Sequence, residues 1–183
     1  MKENRPWADI GITDETRILD LVFDPHSGSL VAKCGRLVAE NVGIKSLYLR
    51  GIHETTYRRI SAAIGNLSYE DAVLTPNGPY LFANIVEITI GASGASGDWH
   101  SLQKIELPSG QIVLEINRDE LEPRLPGHRV WISGIVGVSN DGQTVFCKIG
   151  IQQGAGRVHY HLASLYPAQK RYELITELTR VFL

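Results

Sequence analysis

Three stretches between residues 112 and 151 alternate apolar and polar side chains with a period of two, a rhythm that suits half-buried strands and not helices. In Ile112-Val113-Leu114-Glu115-Ile116, the first, third and fifth residues share one face. From Arg129 to Val138 the expected inward set is Val130, Ile132, Gly134, Val136 and Val138. Arg129, Trp131, Ser133 and Ile135 then point outward. From Thr144 to Ile151 the inward set is Val145, Cys147, Ile149 and Ile151, with Phe146 and Lys148 outside. Pro108-Ser109-Gly110 and Asn140-Asp141-Gly142 stand where hairpin turns would be needed.

The order over Tyr80–Ile151 reads strand, strand, strand, short helix, strand, strand. It resembles a small closed barrel of the oligonucleotide/oligosaccharide-binding type. That resemblance implies a five-stranded barrel over residues 79–153, with Gly134 allowing a sharp bend in mid-strand. Arg118 to Glu122 supplies the short helix, which Pro123 and Pro126-Gly127 stop. Residues 1–16 read as a polar, mobile arm. Residues 17–78 read as a small α+β unit, with a tight turn at Asp24-Pro25-His26-Ser27-Gly28. Its helix is expected over His53–Ile64, where Tyr57, Ile60 and Ile64 form a stripe and Gly65-Asn66 can cap the end. Gly91 to Gly97 reads as a flexible insert. Residues 154–183 read as one strand and a C-terminal amphipathic helix started by Pro167. Leu174, Ile175, Leu178, Val181 and Phe182 form its apolar stripe. The expected class is therefore α+β, mostly antiparallel β.

Bulk properties exclude more than they identify. The net charge of −2 and pI of about 6.3 argue against nucleic-acid binding through bulk charge. No apolar run is long enough to span a bilayer, so no membrane partner is expected. The first residues lead into no apolar signal segment. Cys34 and Cys147 stand far apart in strand-like contexts, which suits buried thiols and a cytoplasmic setting.

No catalytic motif, metal site or cofactor site is expected. Gly91, Gly94 and Gly97 lead into a strand, so no helix N-terminus awaits a phosphate. His159 and His161 share a strand face but lack a third ligand in any recognisable pattern. Trp99 and His100, after the glycine-rich insert, form a weak candidate for a loop that closes over a ligand. Lys104, Arg129, Trp131, Phe146 and Lys148 all fall on the outward side of the barrel strands. Aromatic rings with interleaved cations are what a single strand of nucleic acid needs. Against this, residues 79–153 carry five Lys/Arg and eight Asp/Glu, an acidic balance that repels phosphate. The leading expectation is a non-enzymatic subunit of a larger assembly, meeting other protein subunits through Leu174, Ile175, Leu178, Val181 and Phe182. The alternatives are a single-stranded nucleic-acid binder, and an enzyme with a site near Trp99, His100, His159 and His161.

Overall fold

The computed structural model describes residues 8–12, 17–39, 42–60, 66–92, 94–121 and 127–178. Strands β1 (Arg17–Asp24), β2 (Ser29–Ala39), β3 (Val42–Arg50) and β4 (Arg58–Arg59) form an N-terminal sheet. A middle sheet follows from β5 (Leu67–Leu74), β6 (Tyr80–Gly91), β7 (Gly94–Glu106) and β8 (Ile112–Asn117). After the single-turn helix α1 (Arg118–Leu121) come β9 (His128–Val138), β10 (Val145–Gln153), β11 (Val158–Tyr166) and β12 (Arg171–Glu177), the C-terminal sheet. Within each sheet the strands pair antiparallel in chain order, so each is an up-and-down meander.

Three open four-stranded sheets replace the expected five-stranded barrel, and the class is nearly all antiparallel β. The barrel expectation fails because β6, β7 and β8 pair in sequence onto β5 and none of them pairs with β9 or β10. Among its described residues the small N-terminal unit is β-sheet and not α+β. His53 lies in a turn and residues 58–59 form β4, while residues 61–65 lie outside the described part. Among the described residues the C-terminal helix is also absent. Pro167 starts only one 3-10 turn, Pro167–Gln169. Lys170 then adopts a left-handed backbone (φ 48°), and the chain reverses into β12. There Leu174 pairs with Ala163 and Ile175 sits at a register shift, so the two no longer belong to a helical stripe. Val181 and Phe182 lie outside the described residues. The glycine-rich insert extends a hairpin, with Gly91 opposite Gly94 and Ile88 opposite Gly97.

The sheets stack face to face, with the middle sheet covered on both sides. Leu81, Ala83, Ile85 and Ile105 meet Val31, Leu47 and Leu49 of the N-terminal sheet. Phe82, Leu102 and Ile116 meet Val130, Ile132, Cys147 and Ile149 of the C-terminal sheet. Burying β6 on both faces explains its near-continuous buried run, Leu81 to Ile85. Residues 8–12 lie over the outer side of the N-terminal sheet. Ile12 packs there with Ala32, Cys34, Tyr48 and Tyr57, and the Tyr57 amide donates to the Ile10 carbonyl at 2.6 Å.

Strand β5 ties the stack together. A bulge at Glu70 shifts its register between Tyr69 and Asp71. Glu70 thereby pairs with Lys45 of β3. Ser68 Oγ accepts from the Lys45 amide at 3.1 Å. On the other flank, Asp71 Oδ2 accepts from the Ile135 amide of β9 at 3.1 Å. Turning a bulge into side-chain ties is a common use of that irregularity.

The expected register of β9 holds at Val130, Ile132 and Val138, which pack on the core, and is lost between Ile132 and Val138. Val130 and Ile132 are buried, but two register shifts against β10 follow. A slip of one residue moves every later side chain to the other face. Val136 is accordingly exposed, while Ile135, expected outside, packs against the core. In β10 the whole inward set, Val145, Cys147, Ile149 and Ile151, is buried. Neither cysteine forms a disulfide, and burial pushes the Cys147 thiol up to about 12.

Candidate functional site

The outer face of the C-terminal sheet is where aromatic and charged side chains gather. Arg129 and Trp131 on β9 face Gln152 and Gly150 on β10, which in turn face Val158 and Tyr160 on β11. Trp131 occupies the space above Gly150. A side chain there would place its Cβ 2.4–2.9 Å from three atoms of the indole. The indole and the Tyr160 ring stand nearly perpendicular, at 82°, with centroids 6.4 Å apart, the edge-on arrangement that ring quadrupoles favour. Lys148 Nζ lies 4.1 Å from the Tyr160 centroid, a cation–π contact.

Gly150→Val is therefore expected to eject Trp131 from the sheet face at a cost of about 1–3 kcal/mol, the scale of overpacking. A red-shifted tryptophan emission together with a lowered Tm would show it. An unchanged spectrum and Tm would mean that the indole does not rest on Gly150.

Residues 97–99 of β7 run beside the start of β9 and close this face into a recess of about 330 Å3. Asp98 pairs with Arg129, and Arg118 of α1 stands 3.9 Å from the same carboxylate. Arg118 is held by a 2.7 Å bond from its Nη2 to the Trp99 carbonyl, while its Nε is buried without a hydrogen-bond partner. Trp99 is buried, and its indole N–H donates to Asn84 Oδ1 at 2.9 Å. The Asp98 pairs are exposed, so the recess is held open mainly by the core beneath and not by its charges.

Of the outward residues expected to meet nucleic acid, Arg129 and Trp131 line this recess, and Lys148 and Phe146 share its sheet face. Lys104 is elsewhere, on β7, with Nζ 4.3 Å above the Tyr80 ring. Trp99 belongs to the recess wall, but its neighbour His100 is the extra residue of a bulge opposite Ile85 and Val86 and does not line it. Asp98, Arg118, Gly150 and Tyr160 are the members that sequence reasoning missed. Their convergence depends on how the sheets stack, for which a single sequence carries no signal. Gly150 alone left a trace, as a glycine inside a strand.

His159 and His161 are on the opposite, inner face of β11 and line a separate recess of about 270 Å3 with His128. They do not converge with Trp99 or His100. Among the described residues no group of three or more His, Cys, Asp or Glu is placed to hold a metal ion. His159 Nδ1 and Glu177 Oε1 are 2.8 Å apart. This hydrogen bond, and secondarily the nearby positive charge, holds the Glu177 carboxyl below the usual range. The sign follows from the depressed value: the interaction is present above the ordinary carboxyl range and is lost as pH falls through the lowered Glu177 pKa. In an NMR titration Glu177 should ionise at lower pH than a free glutamate side chain, about 4.3. His159→Ala should move it up toward that value, and an unshifted Glu177 in the wild type would remove the pair. Leu174, Ile175 and Leu178 are exposed along or just beyond β12. Among the described residues no helix is long and apolar enough to cross a membrane. The chain matches no known family and no curated protein.

Proposed function

We propose that the protein is a non-enzymatic interaction module that meets other protein subunits in a larger assembly. The observation that carries this reading is the apolar exposure of two outer strands. On β1, Leu21 and Phe23 are 53% and 55% exposed; on β12, Leu174 and Ile175 are 44% and 53% exposed. β1 and β12 are the edge strands of their sheets, so their outward backbone groups face no strand of the same sheet. An edge strand that is also apolar is a template for strand addition by another chain. A reducing compartment, the cytoplasm, suits two buried thiols. Light scattering on the purified chain, and gel filtration of a native extract, test the reading. The expected species is heavier than the 20.2 kDa chain, and Leu21→Lys with Phe23→Lys should reduce it without lowering Tm. A wild type that runs at the mass of one chain in both settings would overturn it.

The aromatic face of the C-terminal sheet favours a second reading, single-stranded nucleic-acid binding. Trp131, Tyr160 and Phe146 supply rings, while Arg129 and Lys148 supply cations within the same face. Salt-dependent binding of mixed single strands is the expected result, and none at micromolar concentration would end this reading.

A further inference from the structure

We infer that the recess between β7 and β9 is a seat for a single nucleotide unit, a flat base carrying a phosphate. The inference deepens the nucleic-acid reading, since Trp131 and Arg129 take part in both. Three features point to this ligand class. First, Trp131 and Tyr160 stand at 82° to one another, offering one ring as a stacking surface and the other as a side wall. Second, the charges are unbalanced. Arg118 and Arg129 flank Asp98, two cations to one carboxylate in the lining, so the recess favours an anion despite the acidity of the chain around it. Third, donor capacity is left over. Arg118 and Arg129 line the recess with side chains 30% and 45% exposed, and planar guanidinium groups bind phosphate oxygens in pairs. The volume of about 330 Å3 sits at the small end of ligand pockets, which suits one nucleotide and not a folded strand.

In this arrangement Asp98 is a competitor. Its carboxylate occupies the guanidinium groups that a phosphate would use, so a ligand phosphate displaces it and does not join it. A neutral ligand, such as a sugar hydrogen-bonding to the Asp98–Arg129 pair, would depend on the carboxylate instead. The two ligand classes therefore predict opposite effects of Asp98→Asn. That variant should fold normally, because the Asp98 side chain is 57% exposed and its ion pairs are at the surface.

Calorimetric titration of the intact chain with adenosine monophosphate, with adenosine and with a short oligoadenylate tests the proposal. Adenosine monophosphate is expected to bind saturably, and adenosine about tenfold or more weaker, because the charge-assisted bonds are lost. Asp98→Asn should tighten the monophosphate by about two- to fivefold, the range of a surface ion pair. It should leave adenosine unchanged. Binding of the oligoadenylate that is tighter than the monophosphate, and weakened by Arg118→Gln with Arg129→Gln, identifies the unit as part of a strand. Equal or weaker oligoadenylate binding identifies it as a free mononucleotide. The recess is overturned if the monophosphate does not saturate by about 1 mM, or if Asp98→Asn weakens or leaves unchanged its binding. It is also overturned if oligoadenylate binding survives the double arginine variant and is lost in Lys148→Ala. In that last case the strand-binding face stands without the recess. Binding of the monophosphate with no oligoadenylate binding keeps the recess and removes the nucleic-acid reading.

Discussion

Trp99→Ala is expected to cost about 3–5 kcal/mol, the range for removing a buried large aromatic side chain. Native domains of this kind have about 5–15 kcal/mol in total, so much of the population could unfold near physiological temperature. The indole is 4% exposed and packs where the middle and C-terminal sheets meet, alongside Leu102, Val130 and Leu121. Truncation leaves a cavity between two rigid sheets, neither of which can collapse into it without breaking its own strand pairing. It also removes the donor to Asn84 Oδ1, a buried acceptor. Stranding a buried polar atom adds about 1–3 kcal/mol on its own. Trp99→Phe separates the two contributions, since it keeps most of the volume and loses only the N–H. Denaturant unfolding of both variants would measure the difference. A Trp99→Ala midpoint close to the wild type would mean that the two sheets do not pack through this side chain.

Gly11→Ala should detach the segment that covers the N-terminal sheet. Gly11 has φ +87°, a conformation that side chains rarely adopt, and its Cβ would fall 2.2 Å from the Tyr57 carbonyl oxygen. Both the backbone angle and the overlap must be relieved, and neither neighbour is a flexible side-chain end. Relief means that residues 8–12 leave the sheet, and Ile12, 1% exposed, leaves with them. Losing one such side chain from the core costs about 1.5–3 kcal/mol. The specific readout is Cys34, which is fully buried under this segment. In the native wild type its thiol should resist a small alkylating reagent. In Gly11→Ala it should react, while Cys147, buried between the other two sheets and with its thiol pushed up to about 12, stays inert. Equal protection of both thiols in the variant would show that the segment stays in place.

The parts of this fold that were legible in the sequence are strands with one wet face and a regular partner. β10 is the clearest, because its pairing with β11 runs unbroken from Val145 to Gln152. β9 misled after Ile132 because its slips against β10 exchange the faces, and no residue between 133 and 136 announces a slip. The C-terminal stripe misled for another reason. Leu174, Ile175 and Leu178 fit helical spacing, yet Ala163 and Leu162 of β11 offer partners to Leu174 and Thr176, and that pairing overrides local preference. The site divides along the same line. Arg129 and Trp131 were readable as outward neighbours on one strand. Asp98 and Arg118 join them only through the stacking of two sheets, which composition and periodicity do not encode.

The ties on β5 also bear on how the chain acquires its shape. Each meander pairs only strands that follow one another, so every sheet closes through short excursions of chain and needs no distant segment to form. β5 is different, because its Ser68 and Glu70 reach back to Lys45 while Asp71 reaches forward to Ile135. Sheets assembled locally would thus be joined not only by their packed faces but also by polar ties to both neighbours from a single strand of the middle one. Loosening β5 would not merely fray an edge; it would weaken the coupling of the middle sheet to both of its neighbours at once and make the unfolding of the whole less cooperative.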